Sequence, residues 1–227
     1  MSVEVQLALL VWGTLVGLDL VSVPQMMIAR PLVAGGVAGG ILGDAGTGLL
    51  VGALFELFQF DILPVGAVRY PEYGPATVAA VSAAHAITGV LGFGLGAMVG
   101  LLTGLLGGLS IHWARRITSA AVRRAVGPLE AGDAAVLVRV HAQAIARDAV
   151  RAALVTAVGL ALAIGARPLL AIAVSTRGAE WLGVAAVAAG LAAGFSGTYR
   201  LVGRGPAIRW FALGLGGGAI TIVTWLR

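Results

Sequence analysis

Three carboxylates lie in sequence apolar enough to enter a bilayer. Asp44 sits in Gly43-Asp44-Ala45-Gly46-Thr47-Gly48, Glu56 in Leu54-Phe55-Glu56-Leu57-Phe58, and Asp19 directly after the apolar run Leu7 to Leu18. An ionised carboxylate at membrane depth is expensive unless it faces a cation, buried protein or a water-filled cavity, so each is a candidate for a functional site. Glu56 has two readings open, a ligand-binding carboxylate or the partner of Arg30 or Arg69. Asp44 suits the cap of a half-helix, accepting backbone N–H groups, as well as ligand contact. Glu72 follows Pro71 in a polar, proline-punctuated stretch, where a solvated carboxylate competes with a binding one. Gln25 can both donate and accept, and with Asp19 and Arg30 it forms a second polar group around the first apolar run.

The elements that position these groups must be membrane elements. Of 227 residues 59% are hydrophobic and 11% charged, against about 25% charged in soluble domains, and the mean hydropathy is +0.99. This much apolar surface cannot be hidden from water in a soluble fold. The chain has no cysteine, and all 15 of its Lys-plus-Arg cations are arginine. That pattern resembles the imprint of a GC-rich genome, and no aromatic-interleaved basic surface points to nucleic acid. The glycine-rich loop around Asp44 lacks the lysine of a phosphate-binding loop. His85, His112 and His141 are too scattered for a metal site, and no serine sits on a Gly-x-Ser-x-Gly turn. No catalytic residue, metal or cofactor is expected. Glu4 stands where a secretory signal would carry positive charge, so the N-terminus is read as structure.

The segment Pro31 to Leu63 is too long for one span and too short for two, which predicts a broken or re-entrant arrangement. Ala76 to Ile111 exceeds one crossing, so it is either two spans turning near its glycine cluster or one long tilted helix. Gly92, Gly96, Gly100 and Gly104 recur every fourth residue and predict a ridge that packs against another helix. His112 to Arg151 is the one long polar segment, with seven arginines and a break at Gly127-Pro128, and the positive-inside rule places it in the cytoplasm. Ala152 to Ala166, Trp181 to Phe195 and Trp210 to Trp225 read as further spans flanked by aromatic anchors. The expected fold is a single all-α polytopic membrane domain over 1–227, with about six to eight segments including broken or re-entrant ones.

Arg30-Pro31-Leu32, Gly43-Asp44-x-x-Thr47-Gly48, Glu56, Pro64-Val65-Gly66-Ala67 and Pro71-Glu72, in this order and spacing, resemble the IIC subunit of the mannose/fructose/sorbose class of the bacterial phosphoenolpyruvate-dependent sugar phosphotransferase system. The likeness is densest from Asp19 to Thr88 and continues through His141 and Arg151. It implies a multi-pass subunit of the bacterial inner membrane that binds and translocates a hexose-type sugar and is not catalytic alone. Soluble IIA and IIB carry the phosphoryl group, and IIB phosphorylates the sugar that IIC presents. The implied membrane partner is IID, in an oligomer of IIC/IID pairs with one part moving like an elevator against a fixed scaffold. On this resemblance Glu56, Glu72 and Asp44, followed by Gln25 and Asp19, are the expected substrate-binding residues. His141 and Arg151 are expected to organise the cytoplasmic face or meet a partner. Pro64 stands where some mannose-type members have an asparagine, which leaves the sugar open. The competing expectation is a non-transporting membrane regulator or docking protein of the same descent.

Overall fold

The computed structural model describes residues 1–60, 62, 68–87, 89–173, 176–202, 209 and 213. Pro64 to Ala67 and the expected span Trp210 to Trp225 therefore lie largely or wholly outside the described residues. The described chain is all-helical: α1 (Val3–Val21), α2 (Pro31–Ile41), α3 (Ala45–Gln59), α4 (Tyr73–His85), α5 (Val90–Arg124), α6 (Val126–Glu130), α7 (Ala134–Ala173) and α8 (Thr176–Val202). Among the described residues α1, α5 and the Ala134–Ala166 part of α7 are each long and apolar enough to cross a membrane.

The expected re-entrant arrangement is α2 and α3, an antiparallel hairpin of 11 and 15 residues. At about 1.5 Å per residue these helices reach roughly 16 and 22 Å, short of the ~30 Å hydrocarbon core. Pro31 starts α2 at a position where its missing N–H is no loss. Gly43, at φ +73°, lets the chain reverse, and Asp44 caps α3. Small residues allow the two backbones to touch, since a Cβ on Gly39 would lie 2.8 Å from the Cα of Gly48. Next to this hairpin stands a second one, α4 against the first half of α5. The two tips meet where His85 approaches Asp44 at 3.5 Å.

The glycine ridge packs against α4 within this chain. A Cβ on Gly96 would lie 2.7 Å from the carbonyl of Ala80, one on Gly100 would strike Phe55 and the Ala80 methyl, and one on Gly104 would meet Tyr73. The turn in the long apolar segment involves Ala86, Ile87 and Gly89, on the N-terminal edge of the glycine cluster. Gly89, at φ +81°, supplies the turn, and the ridge itself stays inside continuous α5.

Two boundaries differ from the expected ones. The Arg-rich segment is no separate element: α5 and α7 run through it, 35 and 40 residues long. That is roughly 52 and 60 Å, so both helices project well past a ~30 Å bilayer core as an arm closed by α6. The span read as ending at Arg167-Pro168 continues, because α7 carries Pro168 inside it. Periodic apolar sequence on both sides overrides the break that a proline predicts.

Candidate functional site

The site is built on a buried ion pair. Pro71-Glu72 enters α4 pressed against α5, with the Glu72 N–H donating to the Gly104 carbonyl at 2.8 Å. A Cβ on Gly107 would lie 2.7 Å from Glu72 Oε2, so glycine there makes room for the carboxylate. Glu72 is 0% and Arg151 7% exposed. Arg151 Nη1 donates to Oε2 at 2.6 Å and Nη2 to Oε1 at 3.0 Å. This bidentate fork is the geometry in which a carboxylate–guanidinium pair is strongest. The same guanidinium donates to the Gly17 carbonyl at 3.1 Å and to Ser110 Oγ at 3.3 Å. One cation thereby ties together α1, α5, α7 and the segment before α4.

The cluster continues outward through Asp148, whose Oδ1 lies 3.8 Å from Arg151 Nε and whose Oδ2 accepts from the Ser22 hydroxyl. Ser22 begins the loop 22–30, which Asp19 organises. That carboxylate, 3% exposed, accepts from the N–H groups of Met26 at 2.6 Å and Ala29 at 3.0 Å. It satisfies donors that a non-helical loop beside a membrane helix would otherwise leave bare. Gln25 and Met27 adopt φ values of 60° and 64°, left-handed positions that non-glycine residues occupy only when their surroundings hold them there.

Beside this cluster opens a polar cavity of about 670 Å³. Ser22, Gln25, Thr118, Ser119, His141 and Asp148 supply donors and acceptors to its wall. Tyr70 and Arg115 line it too: Arg115 donates to the Tyr70 hydroxyl at 3.1 Å and to the Val68 carbonyl at 3.3 Å, with its guanidinium 5.5 Å from the ring centre. The cavity can surround a small polyhydroxylated molecule with hydrogen-bonding groups of both kinds.

The structure gathers Asp19, Gln25 and Glu72 at this place, Gln25 on the cavity wall and the two carboxylates within the framework behind it. It does not gather the other two expected site residues. Glu56 pairs with Arg30 at side-chain exposures of 22% and 38%, and its Oε2 accepts from the Leu32 N–H at 3.1 Å, which caps the start of α2. Asp44 accepts from the Thr47 N–H at 3.0 Å, the capping geometry. Twelve residues of helix hold Asp44 and Glu56 roughly 18 Å apart. The solvated reading of Glu72 is likewise replaced, by the pair with Arg151. Arg151 itself is an internal tie instead of a residue on the cytoplasmic face. Sequence reasoning missed Ser22, Arg115, Thr118, Ser119 and Asp148. The available signal was spacing: Arg115, Thr118 and Ser119 share one face of α5, as His141 and Asp148 do of α7.

Among the described residues no group of three or more His, Cys, Asp or Glu could hold a metal ion.

Residues 5–225 match the family model described as the PTS system sorbose-specific IIC component. The chain is 26% identical over 148 residues to the sorbose-specific EIIC component of Lacticaseibacillus casei, covering 65% of this chain and 52% of that protein. It is 30% identical over 112 residues to the sorbose-specific EIIC component of Klebsiella pneumoniae, covering 49% and 41%. It is 29% identical over 137 residues to the fructose permease IIC component of Bacillus subtilis, covering 60% and 50%. The matches thus span about half the length of these curated relatives or less. Among solved structures, one described only as a membrane protein superposes with a TM-score of 0.75 at 18% identity, covering 100% of this chain and 97% of that one. A chain of the mannose transporter ManYZ in complex with microcin E492 superposes at 0.57 and 20% identity, covering 96% and 87%. At these identities the likeness shows the fold.

Proposed function

Because this membrane protein belongs to the sorbose-specific IIC component family of the phosphotransferase system, we propose that it is the sugar-binding and translocating subunit of such a system. It works with a IID membrane subunit and presents a hexose-type sugar to IIB for phosphorylation. The observation that carries this reading is the family match over residues 5–225. The polar cavity supports it: a volume of about 670 Å³ falls in the roughly 300–1,000 Å³ range of ligand sites. Gln25, His141, Thr118 and Ser119 offer the amide, imidazole and hydroxyl groups that a sugar's hydroxyls require. The buried Glu72–Arg151 pair holds the wall rigid.

The arm formed by the ends of α5 and α7 lies in the cytoplasm on this reading, since arginine-rich segments resist translocation. A single cysteine introduced at Gly132, between α6 and α7, then reacts with an impermeant reagent only after the cells are opened. Labelling from outside intact cells would reverse the orientation.

The functional test is a binding screen on the chain reconstituted with its IID, using sorbose, fructose and mannose, followed by uptake with phosphorylated IIB. Saturable binding of one hexose, with uptake that requires IIB, is expected. Failure to bind any hexose in a well-folded complex would overturn the transport reading and favour a regulatory membrane protein.

A further inference from the structure

On the side of the α5–α7 pair away from the polar cavity runs an apolar groove of about 620 Å³. Trp113 and Ile117 of α5 and Val150 and Leu154 of α7 line it and are 64%, 52%, 59% and 60% exposed. The spacing is helical on both sides, so each helix turns one continuous stripe outward. Arg147 also lines the groove. Its Nη2 donates to Gln143 Oε1 at 3.2 Å, while its Nη1 is shut off from water and has no acceptor among the described residues. Arg116 places a second guanidinium 6.0 Å from the Trp113 ring centre. Neighbouring Asp148 does not serve the groove: it lines the polar cavity and is engaged by Ser22 and Arg151.

Along α7 the apolar Leu154 and Val150 give way to Arg147 one turn nearer the arm, beside Trp113 of α5, an order that matches a lipid leaflet with Trp at the interface and arginine at the headgroups. We propose that this groove is a binding site for an anionic phospholipid. Its phosphate sits against the guanidinium of Arg147 at the groove, and an acyl chain runs down Val150 and Leu154. The bilayer supplies the occupant, and the two arginines select for net negative charge. Arg147 stands one helical turn before Arg151, so the bound lipid braces the stretch of α7 that holds Glu72.

The test is native mass spectrometry of the purified full chain loaded with phosphatidylglycerol or with phosphatidylcholine of the same acyl chains. Retention of one phosphatidylglycerol is expected to exceed that of phosphatidylcholine about tenfold, the factor one charge-assisted hydrogen bond supplies. Arg147→Gln should abolish the preference. Arg139→Gln, which removes an exposed charge of the same arm outside the groove, should leave it unchanged. Equal retention of the two lipids, or equal loss in both variants, would overturn the proposal in favour of diffuse charge attraction. Complete displacement of the lipid by added IID, with a cysteine at Ile117 cross-linking to that subunit, would assign the groove to a protein helix instead.

Discussion

Two arginine–glutamate pairs stand in this chain, with the same chemistry in opposite surroundings. Arg30–Glu56 bridges the base of the α2–α3 hairpin and keeps part of both side chains in contact with the outside, 38% and 22% exposed. Arg151–Glu72 joins residues 79 positions apart and is dry, 7% and 0% exposed. Where a partly exposed pair meets water it is worth about 0–1 kcal/mol, because solvent screens it. In a dry pair, loss of one member strands the other, at about 3–5 kcal/mol. The contrast teaches that an ionisable residue in apolar sequence is not by itself a ligand site. One pair trims a local hairpin, and the other fixes four segments around a cavity.

The sharpest break in the comparison comes from Arg151→Gln. It should lower the stability of the detergent-solubilised protein by about 3–5 kcal/mol by stranding Glu72, read as lost monodisperse yield and melting temperature. Arg151→Met combined with Glu72→Met should recover most of that loss, since an apolar pair replaces the charged one. A single variant as stable as the parent would show that the pair is not dry.

Next in size is the seam that lets Glu72 approach α5. Gly96→Leu drives a side chain onto the Ala80 carbonyl, which belongs to helix backbone and cannot swing aside, and should cost about 1–3 kcal/mol or more by overpacking. Gly165→Ala in α7, where a Cβ meets nothing within 4 Å, should leave the melting temperature unchanged or raised. Equal effects from both would mean that the α4–α5 contact is not the close one described.

Glu56→Gln should have the smallest effect, because the amide oxygen can still accept from Leu32 and Arg30 is the partly exposed member of its pair. A loss as large as that of Arg151→Gln would erase the distinction between the two pairs.

Much of the architecture was legible because it follows from local rules. Gly43-Asp44-x-x-Thr47 announces a reversal and a cap, and the fourfold glycine spacing announces a ridge. Arg30 was one of two cations offered for Glu56, and it is the one engaged. The dry pair was not legible, because nothing near Glu72 in sequence hints at Arg151. Only the folding of α7 against α1 and α5 brings them together. Apolar–polar contrast also mislocated boundaries: the arginines of 112–151 read as a polar segment of its own, whereas α5 and α7 run on from the apolar stretches into it without a break at either edge. Glu56 and Glu72 led the expected binders with Asp44 behind them, and in the structure Glu56 meets Arg30 and the start of α2 while Asp44 caps α3, because a carboxylate can be satisfied by a helix end as well as by a ligand.

The central claim is the location of the sugar, and hydrogen exchange on the reconstituted complex with IID, with and without the hexose that binds, tests it directly. The account predicts that sugar slows exchange in the loop 22–30 and at residues 68–72, beside the polar cavity, and leaves the hairpin tip at 42–47 unchanged. Protection at the Asp44 tip or around Glu56, with none beside the cavity, would contradict it.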